Sequence, residues 1–263
     1  MKFSVYAVVH KRKLFGCAAA VLAVVSAFFF VMWAVCGAFD SKSVMADAGE
    51  KTVYLTFDDG PSAVTETVLD VLKQKEVKAT FFVVGQNVRA NPQILQRIAK
   101  EGHAIGLHSD THEYAHIYQN AQNFFADIDT LAKRITDLTG QACELYRFPG
   151  GSSNSLYKKY SNGAFDMDNI RQQLKSRNLT YVDWNVSPED AVGYQKSAAQ
   201  ITTAVLRQTA KQNPAVVLMH DTMSQKTTAA ALADIIDSLK NQGYRFLPLD
   251  SSVSCRHGID AYH

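Results

Sequence analysis

Val53-Tyr54-Leu55-Thr56-Phe57-Asp58-Asp59-Gly60-Pro61 (VYLTFDDGP, residues 53–61) sets a run of mostly β-branched and aromatic residues directly against an acidic turn. A short apolar run without polar alternation, closed by Asp, Gly and Pro, is the pattern of a strand buried on both faces, as in a parallel sheet. The same alternation continues from there toward the C-terminus. Helical spacing follows at Val64, Val68, Val71 and Leu72, then a strand at 79–84 (ATFFVV), then a helix from Asn91-Pro92 to Gly102. Further strands are predicted at 104–107, 144–148, 181–186, 215–219 and 245–249, with helices at 120–139, 168–177, 198–211 and 227–242. Seven strands alternating with helices predict one α/β domain over residues 51–263 with a parallel sheet, open or closed.

Composition bounds the rest. The chain has 263 residues, 47% hydrophobic, enough for a sizeable core. Lys+Arg 27 against Asp+Glu 25 leaves too little positive charge for a broad nucleic-acid-binding face. Residues 51–263 carry 22 of each sign, so the small excess belongs to residues 1–50. There, residues 14–39 form an apolar run of 26 broken only by Gly16, Ser26 and Gly37, longer than the roughly 20 residues that span a bilayer. Lys11-Arg12-Lys13 precede it, which predicts a cytoplasmic flank at 1–13, a transmembrane anchor at 14–39, a linker at 40–50 and an extracellular domain beyond. A cleaved signal peptide ending near Ala46-Asp47-Ala48 is the alternative. Four cysteines are too few for a disulfide scaffold, and whether Cys143 and Cys255 pair is left open.

Polar clusters fall just after strands: Asp58-Asp59, His108, Arg147, Asp183 and His220. In parallel α/β folds the C-terminal strand ends share one mouth, so the five are expected to converge. His108 and His112, four apart, would lie on one side of a helical turn within reach of one metal ion, with Asp58 or Asp59 as a third ligand. His112-Glu113-Tyr114-Ala115-His116 is also a formal zinc-protease match. That motif belongs inside a regular helix and needs a further ligand, whereas here it follows the turn-prone Ser109-Asp110-Thr111 and no carboxylate comes after it until Asp127.

Taken in order, Thr56-Phe57-Asp58-Asp59-Gly60 (TFDDG), His108-Ser109-Asp110-Thr111-His112 (HSxxH), Arg147-Phe148-Pro149-Gly150-Gly151 (RFPGG), Asp183-Trp184 (DW) and Leu218-Met219-His220-Asp221 (LMHD) resemble the five motifs of the NodB-type polysaccharide deacetylases, carbohydrate esterase family 4. The resemblance covers about residues 51–249. It implies an irregular (β/α) barrel of about seven strands and a metal-dependent enzyme. Asp59, His108 and His112 would hold one divalent ion, zinc foremost, with cobalt, manganese or nickel as alternatives. Asp58 would be the general base on the attacking water and Arg147 would hold it in place. His220 would be the general acid with Asp183 as its partner. Gly150 would supply a backbone N–H to the oxyanion, and Trp184 and Leu218 would line the pocket for the acetyl methyl. Many members carry tyrosine where Gly150 stands, which puts the placement of that donor in question, and the polar stretch 152–163 beside it could face substrate or solvent.

A linker of 11 residues reaches at most roughly 40 Å, which places the mouth near a wall polymer. The expected activity is hydrolysis of the acetamido group of N-acetylglucosamine in peptidoglycan by a monomeric enzyme anchored in the cell membrane. The alternatives are other acetylated polymers (poly-N-acetylglucosamine, N-acetylmuramic acid, chitin oligosaccharide, O-acetyl xylan) and a catalytically silent glycan-binding protein.

Overall fold

A computed structural model describes residues 49–255. The predicted membrane span at 14–39 lies outside them, and among the described residues no helix is long and apolar enough to cross a membrane. In chain order the elements are β1 (Thr52–Asp58), α1 (Ala63–Gln74), β2 (Thr80–Val84), α2 (Gly85–Ala90), α3 (Pro92–Lys100), β3 (Ala104–Ser109), α4 (Tyr114–Ile117) and α5 (Ala121–Thr139). They continue with β4 (Leu145–Tyr146), α6 (Tyr157–Ser161), α7 (Met167–Ser176), β5 (Thr180–Tyr181), α8 (Ala198–Thr209), β6 (Ala215–His220), α9 (Lys226–Asn241) and β7 (Arg245–Phe246).

All seven strands pair in parallel. Their order is β5-β4-β3-β2-β1-β6, and β7 pairs with the first residues of β1. β1 is buried along its whole length, as its uninterrupted apolar sequence requires of a central strand. Beyond β5 the chain returns to the far edge, where Val186 bridges to Val217 of β6. The sheet therefore curls into a half-barrel with one bridge across its seam.

Alternation along the strands sorts side chains onto two faces. Val53, Leu55 and Phe57 join Phe81, Val83, Val217 and Met219 in the main core beneath the helices. Tyr54, Phe82, Leu145, Val182 and Val216 form a second cluster on the concave face. Gly106 belongs to that face because a Cβ there would collide with the Phe82 ring and meet Leu145 Cβ at 3.3 Å. The same period of two sends Thr56 and Asp58, His108, Arg147 and His220 inward at the C-terminal strand ends.

Helix caps agree with the sequence. Ser62 opens α1 in a capping box with Thr65, and Ser197 opens α8 in another with Gln200. α5 ends on Gly140 at φ 73°, whose N–H closes on Thr136 O. Three predicted strands are shorter than expected, since β4, β5 and β7 keep two residues each. For β5 the cause is visible: the carbonyls of Val182 and Asp183 accept from the Arg147 guanidinium instead of from a neighbouring strand. Cys143 and Cys255 are free thiols; Cys143 packs on the main core and Cys255 on the second cluster.

Candidate active site

The β1–β6 register places Asp58 directly opposite His220. Arg147, directly after β4, is wholly buried. Its Nε donates to Val182 O (2.9 Å), one terminal nitrogen to Thr56 Oγ1 (2.6 Å) and Asp58 Oδ1 (2.9 Å), and the other to Asp183 O (2.9 Å). The guanidinium also stacks 4.1 Å from the Phe82 ring centroid and 5.7 Å from that of half-buried Trp184. A buried cation without such partners would be costly; here every contact also fixes the Asp58 carboxylate. Burial pushes the Asp58 pKa up, although Arg147 and His220 pull it down.

Asp59 turns the other way. At φ 72° it leaves the strand in the left-handed region, held by its N–H on Phe82 O and by Asn87 Nδ2 on its carbonyl. Its Oδ1 is buried with no hydrogen-bond partner and lies 3.4 Å from His108 Nε2 and 3.3 Å from His112 Nε2. His108 Nδ1 lies 2.9 Å from Arg147 O, which makes Nδ1 the protonated nitrogen and leaves the Nε2 lone pair facing Asp59. Burial pushes the His108 pKa down to about 3, against the pull of Asp59, so this ring is neutral. An orphaned carboxylate oxygen converging with two imidazole nitrogens is a donor set that fits a divalent cation.

His112 reaches the site by a route other than a helical turn. His108 is the last but one residue of β3, and His112 stands at φ 57° before α4 begins at Tyr114. The loop between them is tied to Asp127 of α5, whose Oδ2 accepts from Ser109 Oγ (2.8 Å) and Asp110 N–H (2.7 Å) while Oδ1 accepts from Thr111 N–H and Oγ1. Ser109 Oγ in turn accepts from His112 N–H at 2.7 Å. His116, of the protease-like match, is exposed and is not part of the Asp59–His108–His112 cluster. Asp127 was legible only as a carboxylate among the apolar residues of α5, between Phe124, Phe125 and Ile128.

The predicted pairing of Asp183 with His220 is corrected. His220 Nδ1 lies 2.9 Å from Asp190 Oδ1, and Asp190 Oδ2 accepts from His220 N–H (2.9 Å) and Thr228 Oγ1 (2.8 Å). Asp183 directs its carboxylate to Ser152 instead, taking its N–H (2.8 Å) and Oγ–H (2.6 Å), and so fixes the loop after β4. The physical reason is chain path: after Asp183 the backbone runs along β6 through Val186, and only the following loop brings a carboxylate back over the end of that strand. Burial opposes protonation of His220, but the hydrogen bond and charge of Asp190, with Asp58 and Asp59 beyond, raise its pKa to about 9.

Gly150 sits exposed at φ 79° at the mouth, its Cβ direction 3.4 Å from Tyr114 Oη, and Tyr114 stands edge-on to His112. Leu218 lines the inner wall of β6, nearly buried, with its N–H on Val186 O. Behind the acidic turn, Asp221 is wholly buried, accepts from Thr65 Oγ1 at 2.6 Å and packs so closely on Gly60 that no side chain fits there. Burial raises the Asp221 pKa to about 7.

Residues 46–164 match the family model for polysaccharide deacetylase. YheN of Bacillus subtilis is 38% identical over 211 residues, covering 78% of this chain and 69% of that protein. A peptidoglycan-N-acetylglucosamine deacetylase of Bacillus cereus is 36% identical over 202 residues, 74% and 68% of the two chains. The crystal structure of the catalytic domain of the peptidoglycan N-acetylglucosamine deacetylase of Eubacterium rectale superposes with a TM-score of 0.76 at 38% identity, covering 81% of this chain and 96% of that one. With its five motifs gathered at one end of a curled parallel sheet, the chain belongs to the polysaccharide deacetylase family, hydrolases of acetylated sugars.

Proposed function

We propose that the chain is a metal-dependent N-deacetylase of N-acetylglucosamine in peptidoglycan, releasing acetate and a free amino sugar. The observation that carries this reading is the pairing of the Asp59–His108–His112 donor set with a buried Asp58–Arg147 pair on one side and His220–Asp190 on the other. The names of the relatives from Bacillus cereus and Eubacterium rectale support the substrate. Two imidazoles and a carboxylate suit zinc, and cobalt, manganese or nickel would accept the same donors.

When bound, the divalent ion supplies Lewis acidity, polarising the acetyl carbonyl and easing loss of a proton from water. Asp58 takes that proton, held in line by Arg147 and, with its raised pKa, a stronger base than an open carboxylate. The Gly150 N–H at the mouth donates to the oxyanion that forms as oxygen adds to the carbonyl carbon. His220, protonated at neutral pH, gives its proton to the amide nitrogen, so that the C–N bond breaks to a neutral amine and a carboxylic acid that ionises to acetate. Trp184 and Leu218 offer the apolar surface that takes the acetyl methyl. Residues 14–39 would hold the domain at the outer face of the membrane, where protease accessibility and carbonate extraction of membranes test the orientation.

The deciding experiment incubates the protein with a series of divalent metals and several acetylated polymers and quantifies acetate. Metal-dependent release from N-acetylated glycan, lost in Asp58→Asn, is expected. Release from O-acetyl xylan alone would overturn the substrate, and equal release by Asp58→Asn would overturn the base.

A further inference from the structure

A cavity of about 520 Å³ opens between α2, α3 and α5, with Arg89, Lys133 and Arg134 around an apolar wall of Val88, Pro92 and Leu138. Behind it two guanidinium groups share one carboxylate. Asp110 Oδ2 accepts from Arg89 at 2.7 Å and Oδ1 from Arg134 Nε at 3.3 Å, while Lys133 pairs with Asp137 at 2.7 Å. Three cations thus meet two carboxylates. Among the described residues the other nitrogens of Arg89 and Arg134 make no hydrogen bond, and the Arg89 side chain is 45% exposed. Pro92 also opens α3, whose N-terminus no side chain caps, so the positive end of that helix adds to the same field.

Asp110 ties this cavity to the active site. It lies in the loop that joins His108 to His112, with its N–H on Asp127 Oδ2 and its carbonyl accepting from Gln86 N–H at 2.9 Å. Its carboxylate packs so closely on Gly85 that no side chain fits there. Arg89 from α2 and Arg134 from α5 therefore clamp the loop that presents His112. Forked, unpaired guanidinium donors with surplus positive charge suit a phosphoryl group, whose oxygens accept from two arginines at once. A sugar hydroxyl would leave the charge unanswered, and a fatty chain would strip water from both guanidinium groups without replacing it.

We infer that this cavity binds a phosphoryl group, and that the bound anion draws Arg89 and Arg134 off Asp110 and slackens the loop carrying His112. Anion and metal then oppose each other, and by linkage each weakens the other by the same factor. The coupling rests on the metal reading above, whereas the site does not. The test uses the full chain, zinc-free and zinc-loaded, and measures binding of inorganic phosphate and of butyl phosphate by calorimetry. Both forms should bind, the zinc-free one more tightly. Arg89→Gln with Arg134→Gln should weaken binding by about tenfold or more, and Lys133→Ala, which leaves the clamp on Asp110 intact, in the same direction by less. Zinc affinity, read by competition with a chromogenic chelator, should fall about fivefold at saturating phosphate in the wild type but not in the double variant. Butyl phosphate binding better than phosphate assigns the apolar wall to the carbon substituent of an ester; the reverse order assigns the cavity to the free ion. Phosphate binding that survives in the double variant, or that appears only with zinc present, would overturn the site, and an unchanged zinc affinity would overturn the coupling. A wild-type chain that binds phosphate but no zinc would instead overturn the metal reading.

Discussion

Replacing Asp190 by asparagine keeps the shape of the contact to His220 and removes its charge. Burial alone would depress the imidazole, and Asp190 is the largest influence holding it at about 9. The rise from 6.5 to about 9 is worth about 3 kcal/mol of preference for the charged ring. Without the carboxylate, His220 should fall to about 6.5 or below. At about pH 7.5 the ratio of protonated to neutral ring then drops from roughly 30:1 to roughly 1:10, so the available acid shrinks about tenfold. The assay is kcat/KM for acetate release from about pH 5.5 to 10. The alkaline limb is expected near 9 in the wild type and near or below 6.5 in Asp190→Asn, with much of the loss at neutral pH regained as the medium is acidified toward the Asp58 limb. Stability carries the same sign. A histidine whose folded pKa is raised contributes fully below the unfolded value of 6.5, and that contribution is lost as pH climbs through about 9. Denaturation at about pH 6 and 9.5 should show this alkaline loss in the wild type and little of it in the variant. An alkaline limb that stays in place in Asp190→Asn, or moves as far in Asp183→Asn, would refute the assignment.

Three other substitutions probe the remaining parts. Arg147→Met removes the guanidinium paired with buried Asp58 and strips the donors from two carbonyls; it should cost about 3–5 kcal/mol, read by denaturant titration, as well as abolishing acetate release. Gly60→Ala forces a methyl into the Asp221 carboxyl, and should lower stability by about 1–3 kcal/mol in thermal melts and weaken zinc binding as the Asp58-Asp59 turn shifts. Asp127→Ala frees the loop between His108 and His112, and calorimetry should find zinc affinity lower by about 10–100-fold while the mutant retains its helical circular dichroism.

Much of this architecture is written locally. The apolar run of β1, the Asn91-Pro92 helix start and the Gly102 stop each need only neighbouring residues, and each stands where its spacing puts it. Asp58, Asp59, His108, Arg147 and His220 are legible for the same reason: they lie at the ends of strands whose period of two is readable and whose parallel pairing brings those ends together. What escapes is contact across loops. Asp190 lies several residues beyond any strand in a stretch with no periodicity, while Asp183 sits beside Trp184 at a strand end and so looks the better partner for His220. The short β5 is misjudged because hydrophobic pattern reports burial, and Arg147 takes the carbonyls that follow it without altering that pattern. The helical reading of His108 and His112 fails at His112, whose left-handed backbone depends on Ser109 and the distant Asp127.

Arg147 occupies the place in the barrel where an aliphatic side chain would ordinarily complete a layer, wedged on Phe82 with its polar edge fully matched. Asp59 and His112, by contrast, stand at a partly open rim. The two groups are therefore exposed to mutation very unequally. A descendant that drifts out of catalysis can shed its rim ligands at small cost to folding, but it cannot shed the arginine without rebuilding the barrel. Retention of that arginine in a relative reports an intact fold, whereas the rim ligands together with Asp58 and His220 report a working enzyme.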